Sequence, residues 1–180
     1  MTIEITSNVQ LELTAMKHAA GLFKAVDSNR EHLSRFLPWV AGMQSVDDFR
    51  SYIAGCEELY RQQKEVSFVI LFNNEVAGRI GLHHMNMYNR NAAIGYWLTR
   101  EAGGNGIIHH SCKALIHYGF TELGLQRIEL KAATENTRSQ AVPQKLGFVK
   151  EGILRQAEWV NDRFLDLVVY SVVKDEWQAT

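Results

Sequence analysis

Residues 9–13, VQLEL, alternate apolar and polar positions, the period of a strand with one buried face. The spacing then changes. Met16, Ala19, Ala20, Phe23 and Ala25 recur at helical intervals, with Thr14 placed as the N-cap. A second helical stretch, NREHLSRFL, stops before Pro38, because proline disfavours the helical conformation in its predecessor. Ser45 and Asp48 have capping-box spacing, with Asp in place of Glu, and open a helix from Val46 to about Gln63. SFVILF (67–72), an NNE turn and VAGRIGLHHM (76–85) form a hairpin, and YNRN leads into a third strand, AAIGYWL (92–98). In that strand Gly95 reads either as a bulge or as a packing glycine. Helical spacing returns with Ile108, Cys112, Leu115, Ile116, Gly119 and Phe120. RIELKAA (127–133) is a strand, NTRSQAVPQKL (136–146) a short helix and GFVKEGILRQAEWV (147–160) a strand; NDR then turns into FLDLVVYSVV (164–173). Antiparallel strands come first, then two strand–helix–strand passages and a hairpin. The pattern predicts an α/β (mixed α+β) fold, a mixed sheet with helices on both faces.

Composition narrows the class. The 180 residues contain no internal repeat, low-complexity run or linker, so one domain over 1–180 is expected. A net charge of −1 gives no reason to expect nucleic acid or an anionic membrane as a partner. Cys56 and Cys112 match no zinc or redox spacing and are expected as reduced thiols. MTIEITSNVQ lacks the basic and apolar regions of a secretion signal, and no run approaches about 18 apolar residues, so a cytoplasmic location is expected. His83-His84 and His109-His110 are adjacent pairs whose side chains point apart, so no metal site is expected from them. Beside a phosphate, His109 or His110 would add positive charge below pH about 6.5. Trp39, Tyr96, Trp97 and Trp159 are assigned to the core or to cleft walls.

The stretch EAGGNGIIHH (101–110) puts three glycines within four residues, between a strand and a helix. Such a junction suits an anion. First-turn N–H groups lack partners, the macrodipole is positive there, and missing side chains let phosphate oxygens reach the backbone. Taken alone, the segment serves equally as a plain loop and helix entry. A Walker loop is excluded because Ile107 and Ile108 stand where a lysine and a hydroxyl are needed. A dinucleotide fingerprint would need glycine where His109 stands.

With the rest of the chain, the segment resembles the phosphate loop of the GNAT superfamily of acetyl-CoA-dependent N-acetyltransferases, Gln/Arg-x-x-Gly-x-Gly/Ala. Gly103-Gly104-Asn105-Gly106-Ile107-Ile108 occupies it, with Gly103 at the usual Gln or Arg and Ile108 at the small last residue. IGYWL (94–98), HYGFTELGLQRIEL (117–130) and ENTRSQAVPQKLGFVKEGILRQAEWVNDRF (135–164) resemble the RimJ/RimL-like ribosomal-protein N-terminal acetyltransferases. RQAEW (155–159) and the step of nineteen residues from Ser139 to Glu158 are its RimL-type features. The likeness runs from Ser67 onward; the first 65 residues carry no specific motif. It implies the GNAT fold, a twisted mixed sheet of about seven strands flanked by helices, with acetyl-CoA as cosubstrate and no metal.

The resemblance also implies roles. Gly103, Gly104, Asn105, Gly106, Ile107 and Ile108 lie at the pyrophosphate. The strand ending at Leu98 splays from its neighbour, pantetheine pairs along it, and a backbone N–H meets the oxyanion. Asn136 contacts the pantetheine arm, Ser139 acts as general acid towards the sulfur, and Glu158 is the general base. The residue chemistry is compatible. A carboxylate accepts an amine proton directly or through one water, and an α-amine, with a pKa near 8, needs less help than a lysine near 10.4. A thiol of pKa near 8.5 leaves readily as thiolate, so the Ser139 hydroxyl also serves by hydrogen-bonding it. Asn136 and Ser139 equally suit capping of their own helix, and Glu158 a solvated strand edge.

Neither cysteine falls in the blocks that carry catalytic residues, which favours direct transfer in a ternary complex. The expected acceptor is a protein N-terminal α-amine, ribosomal proteins being the class the resemblance names. A small amine or aminoglycoside, or a lysine side chain, fits the same chemistry. A CoA-binding module without turnover would keep Gly104 and Gly106 without needing Glu158. FLDLVVYSVV is the surface expected to pair across a homodimer or higher homo-oligomer.

Overall fold

The computed structural model describes residues 1–177. Eight strands form one mixed sheet: β1 (Thr2–Thr6), β2 (Val9–Leu13), β3 (Val66–Phe72), β4 (Glu75–Asn86), β5 (Asn91–Leu98), β6 (Arg127–Ala133), β7 (Val149–Val160) and β8 (Arg163–Val173). Their order is β1-β2-β3-β4-β5-β6-β8-β7. The helices are α1 (Ala19–Asp27), α2 (Arg30–Ser34), α3 (Val46–Arg61), α4 (Ile107–Thr121) and α5 (Thr137–Lys145). The eighth strand is β1, whose Ile3 pairs with Leu11 of β2 and leans on the core.

The pleat explains why SFVILF is continuously apolar. Phe68 and Ile70 face α4, packing with Leu115, Ile116 and Phe120, while Val69 and Leu71 face Leu22 and Val26 of α1 and Phe49 and Ile53 of α3. A strand covered on both sides has no polar face to alternate with. Each such side chain contributes about 1.5–3 kcal/mol through burial.

At the start of α3 the Ser45 hydroxyl accepts the Asp48 N–H at 3.2 Å. The Asp48 carboxylate accepts from the Ser45 hydroxyl at 2.8 Å and from the Gln44 N–H at 3.0 Å. These bonds hold the Asp48 carboxyl below its ordinary pKa, the Ser45 hydroxyl contributing most. Ser45→Ala is expected to lower stability by about 1 kcal/mol, measured by urea unfolding at neutral pH.

Three expectations are corrected. Thr14 does not cap a helix; it is buried and its hydroxyl accepts from Ser67 at 3.2 Å, while the chain passes through a 3-10 turn, Met16–His18, before α1. There His18 Nδ1 accepts the Ala15 N–H at 3.1 Å. FLDLVVYSVV is not an edge. β8 is hydrogen-bonded to β6 on one side and β7 on the other, so both its margins are taken and β7 is the outer strand. Of core and cleft wall, Trp159 loses the core assignment, being 52% exposed on that outer strand. Gly95, left open above, is a packing glycine: it pairs in register with Gly81, and an added Cβ would press on the His83 ring at 3.3 Å.

Candidate active site

β5 and β6 are parallel neighbours joined by α4, but their pairing stops at Ile94 and Leu130. Beyond that point β5 runs on against β4, with Ile80 opposite Tyr96 and Gly78 opposite Leu98. β6 runs on against β8, with Lys131 opposite Val169 and Ala133 opposite Leu167. The facing edges of 95–98 and 131–133 therefore part, leaving backbone donors and acceptors without a ladder. An extended, amide-bearing ligand fits such an opening as an added strand.

The glycine loop stands at the mouth. Gly104 and Gly106 have φ of 88° and 70°, the left-handed region in which an L side chain is strained. Gly106 is the N-cap of α4 and no side chain bonds the first-turn amides. A Cβ on Gly104 would meet nothing within 4 Å, so this face of the loop is open. The side chain of Asn105 braces the turn, donating to the Ala102 and Gly103 carbonyls at 3.1 and 3.4 Å. The Gly103 amide is bonded to the Arg100 carbonyl at 3.1 Å, so Gly103 contributes space rather than a free donor. Ile107 is buried in the core and Ile108 packs against it, which fixes the helix entry. Asn29, between α1 and α2, accepts the Arg100 amide at 2.9 Å and ties the loop to the opposite face of the sheet. His109 is a poor cation here. Burial first, then His110, Lys145 and Lys113, hold its pKa below the ordinary value.

Across the opening, Asn136 caps α5 by accepting the Ser139 N–H at 3.1 Å. The Tyr96 hydroxyl reaches over from β5, donating to the Ser139 carbonyl at 3.1 Å and lying 3.0 Å from Ser139 Oγ. With its one proton on the carbonyl, Tyr96 is the acceptor for the Ser139 hydroxyl. Burial, then the neighbouring Cys112, push the Tyr96 pKa well above the ordinary phenol value, against the Ser139 hydrogen bond, so it stays protonated.

Glu158 is placed by an irregularity. Between the pairs Leu154–Leu167 and Glu158–Leu165, residues 155–157 of β7 oppose Asp166 alone. Gln156 takes φ of 50° and its N–H donates to Asp166 Oδ1 at 2.7 Å. This bulge re-aims the strand immediately before Glu158. The Asp166 carbonyl also accepts the Thr134 N–H at 2.9 Å, joining the bulge to the turn that opens α5. Glu158 is half-buried, and burial alone raises its pKa. Among the described residues it has no hydrogen-bond or ion-pair partner. Trp159, on the other side of β7, stacks edge-on with Phe164 at 4.6 Å.

Register puts these parts at one end of the sheet. Glu158 pairs with Leu165, two residues beyond the partner of Ala133, and Leu98, the loop and Ser139 all follow the carboxyl ends of β5 and β6. Among the described residues no hydrogen bond joins Glu158 to Ser139 or to the glycines. Sequence reasoning missed the Tyr96–Ser139 bond, the bulge and Asp166; the alternation in IGYWL puts Tyr96 on the same face as Ile94, and nothing local marks its partner.

The acetyltransferase (GNAT) domain family matches residues 9–149. The chain is similar to the putative ribosomal N-acetyltransferase YdaF of Bacillus subtilis strain 168, 34% identical over 179 residues, 99% of this chain and 98% of that protein. It is 32% identical over 174 residues, 97% of each chain, to the ribosomal-protein-serine acetyltransferase of Escherichia coli K12. A solved structure of RimL, the ribosomal L7/L12 alpha-N-protein acetyltransferase in complex with coenzyme A, has a TM-score of 0.94 at 27% identity, covering 98% of this chain and 99% of that one. Family match, near full-length relatives and shared architecture agree: the chain belongs to the GNAT acetyltransferase family.

Proposed function

We propose that this protein transfers an acetyl group directly from acetyl-CoA to the N-terminal α-amine of a protein, with ribosomal proteins as the acceptor class. One observation carries the reading. The opened ladder between β5 and β6 leads to an uncapped, glycine-bearing helix N-terminus, and a free, half-buried carboxylate stands at the same end of the sheet. The acceptor class is supported by relatives named as ribosomal-protein acetyltransferases over nearly their whole length. A ribosomal acceptor would be met in the cytoplasm, which is the location this reading carries with it.

Bound acetyl-CoA would supply the activated acetyl group and a thiolate leaving group. The amides at Gly104, Asn105, Gly106, Ile107 and Ile108 take the diphosphate, because they lie without side-chain caps at the positive end of α4. The free edge of β5 at Leu98 pairs with the amide-bearing arm, and Asn136 shapes the facing wall. Glu158 withdraws the ammonium proton directly or through one water; a raised carboxyl pKa narrows the gap to an α-amine near 8. Ser139, held by Tyr96, turns its hydroxyl towards the sulfur as charge develops there.

The test offers acetyl-CoA with three acceptors and follows free thiol. These are lysine-free peptides with an open N-terminus, N-blocked peptides containing lysine, and small polyamines or aminoglycosides. Thiol release with the open N-terminal peptides alone is the expected result. Turnover confined to lysine or to small amines overturns the acceptor, and tight binding without any turnover reduces the protein to a CoA-binding module.

A further inference from the structure

Position 103 of the glycine loop has no side chain, and the space beside it is taken. A Cβ there would collide with the terminal guanidinium nitrogen of Arg138, lie 3.2 Å from its Cζ, and sit 3.0 Å from the Arg100 carbonyl. Gly103 is not among the glycines with positive φ, so its glycine is required by volume rather than by backbone shape. Arg138 belongs to the first turn of α5, next to Ser139 in sequence, and crosses from α5 to the glycine loop.

A cation placed between two helix N-termini faces two positive dipole ends. Among the described residues no carboxylate forms an ion pair with Arg138. The neighbouring carboxylate of Glu135 is taken by Arg163 at 2.8 Å. Arg100, Arg138 and Arg35 together help hold the pKa of half-buried His32 down, after burial itself, and Glu101 alone opposes them. Three guanidiniums against one carboxylate leave an excess of positive charge that an anion would relieve. We propose that Arg138 is the side chain that clamps the diphosphate of acetyl-CoA, filling from α5 the place that a long polar residue at position 103 would fill from the loop. The planar guanidinium presents two parallel N–H donors to phosphate oxygens, the geometry in which arginine surpasses lysine. The loop amides hold the diphosphate from one side and Arg138 from the other.

This assignment rests on the acetyl-CoA reading above, and the experiment separates the two. Binding of acetyl-CoA and of acetyl-pantetheine, which lacks the diphosphate, is measured on wild type, Arg138→Ala, Gly103→Gln and Gly103→Gln/Arg138→Ala. Arg138→Ala is expected to weaken acetyl-CoA by about tenfold to a hundredfold and to leave acetyl-pantetheine unchanged. Gly103→Gln alone weakens acetyl-CoA because two side chains compete for one space. The double variant regains much of the loss, because Gln enters the vacated volume. Unchanged acetyl-CoA affinity in Arg138→Ala overturns the assignment alone, as does an equal loss for both thioesters or an effect confined to the acceptor KM. Wild-type protein that binds neither thioester overturns the acetyl-CoA reading and the assignment together.

Discussion

Glu158→Gln is expected to lower kcat by roughly 100- to 1,000-fold at saturating acetyl-CoA while leaving acetyl-CoA affinity unchanged. Glutamine keeps the volume and one acceptor oxygen but cannot take a proton at neutral pH. The diphosphate and pantetheine contacts proposed above involve neither β7 nor its bulge, so binding of the thioester has no reason to change. The pH profile carries the stronger signature. Burial raises the carboxyl above its ordinary value, and the charged form is the base. Activity therefore falls as pH drops through a pKa above the usual carboxylate range, and rises on the other side. In the Gln variant that acid limb disappears, leaving only the limb set by the acceptor amine. Thiol release measured across the acid and neutral pH range on both proteins decides it. A Gln variant within a few-fold of wild type, with the acid limb intact, would sink the role.

The chain announces the parts of this site unevenly. β3 and β5 are readable because their runs are apolar almost throughout, β6 because Ile128, Leu130 and Ala132 alternate with polar positions, and Gly and Asn mark strand ends. β1 is hard to see. In TIEIT only two of five residues are apolar, and what makes it a strand is register with β2. Thr14 precedes a helical stripe like any N-cap, yet its partner is Ser67, fifty-three residues away. Strand order is harder still, since nothing local states that β8 inserts between β6 and β7. In the site, the glycines stand out but do not decide alone, because a bare helix start serves a plain loop as well as an anion. Glu158 does not stand out; exposed glutamates are common, and the bulge that aims it needs the β7–β8 register. Tyr96 reads as one more apolar residue until folding brings it to Ser139, forty-three positions on. Long-range polar pairs leave no period in the sequence.

Arg79→Met is expected to destabilise the fold by about 3–5 kcal/mol, because it leaves a buried carboxylate without its permanently charged partner. Arg79 is only 8% exposed. Its Nη2 lies 2.5 Å from Glu65 Oε1 and 3.5 Å from Cys56 Sγ, and its guanidinium sits over the Tyr52 ring at 4.9 Å. The other Glu65 oxygen is 2.9 Å from His83 Nδ1. Burial pushes the Glu65 pKa up, but His83 and Arg79 outweigh it and bring the carboxyl down to about 2. A depressed carboxyl pKa contributes stability that is complete above the unfolded value, near 4.3, and is lost as pH falls from there towards the folded value. Without Arg79 the folded value moves up towards the unfolded one, so the loss on acidification is smaller in the variant and ends at a higher pH. Urea unfolding across the acid range measures both effects. Arg79→Met/Glu65→Leu supplies the control: removing both charges removes the desolvation cost along with the attraction, so the double variant recovers part of the single variant's loss. The position ties the network to the site, since Arg79 stands opposite Trp97 on β5, one residue from Leu98 at the parted edge. If the single variant unfolds at wild-type urea concentration, the guanidinium is no more than packing for Tyr52, and the network does not hold that strand.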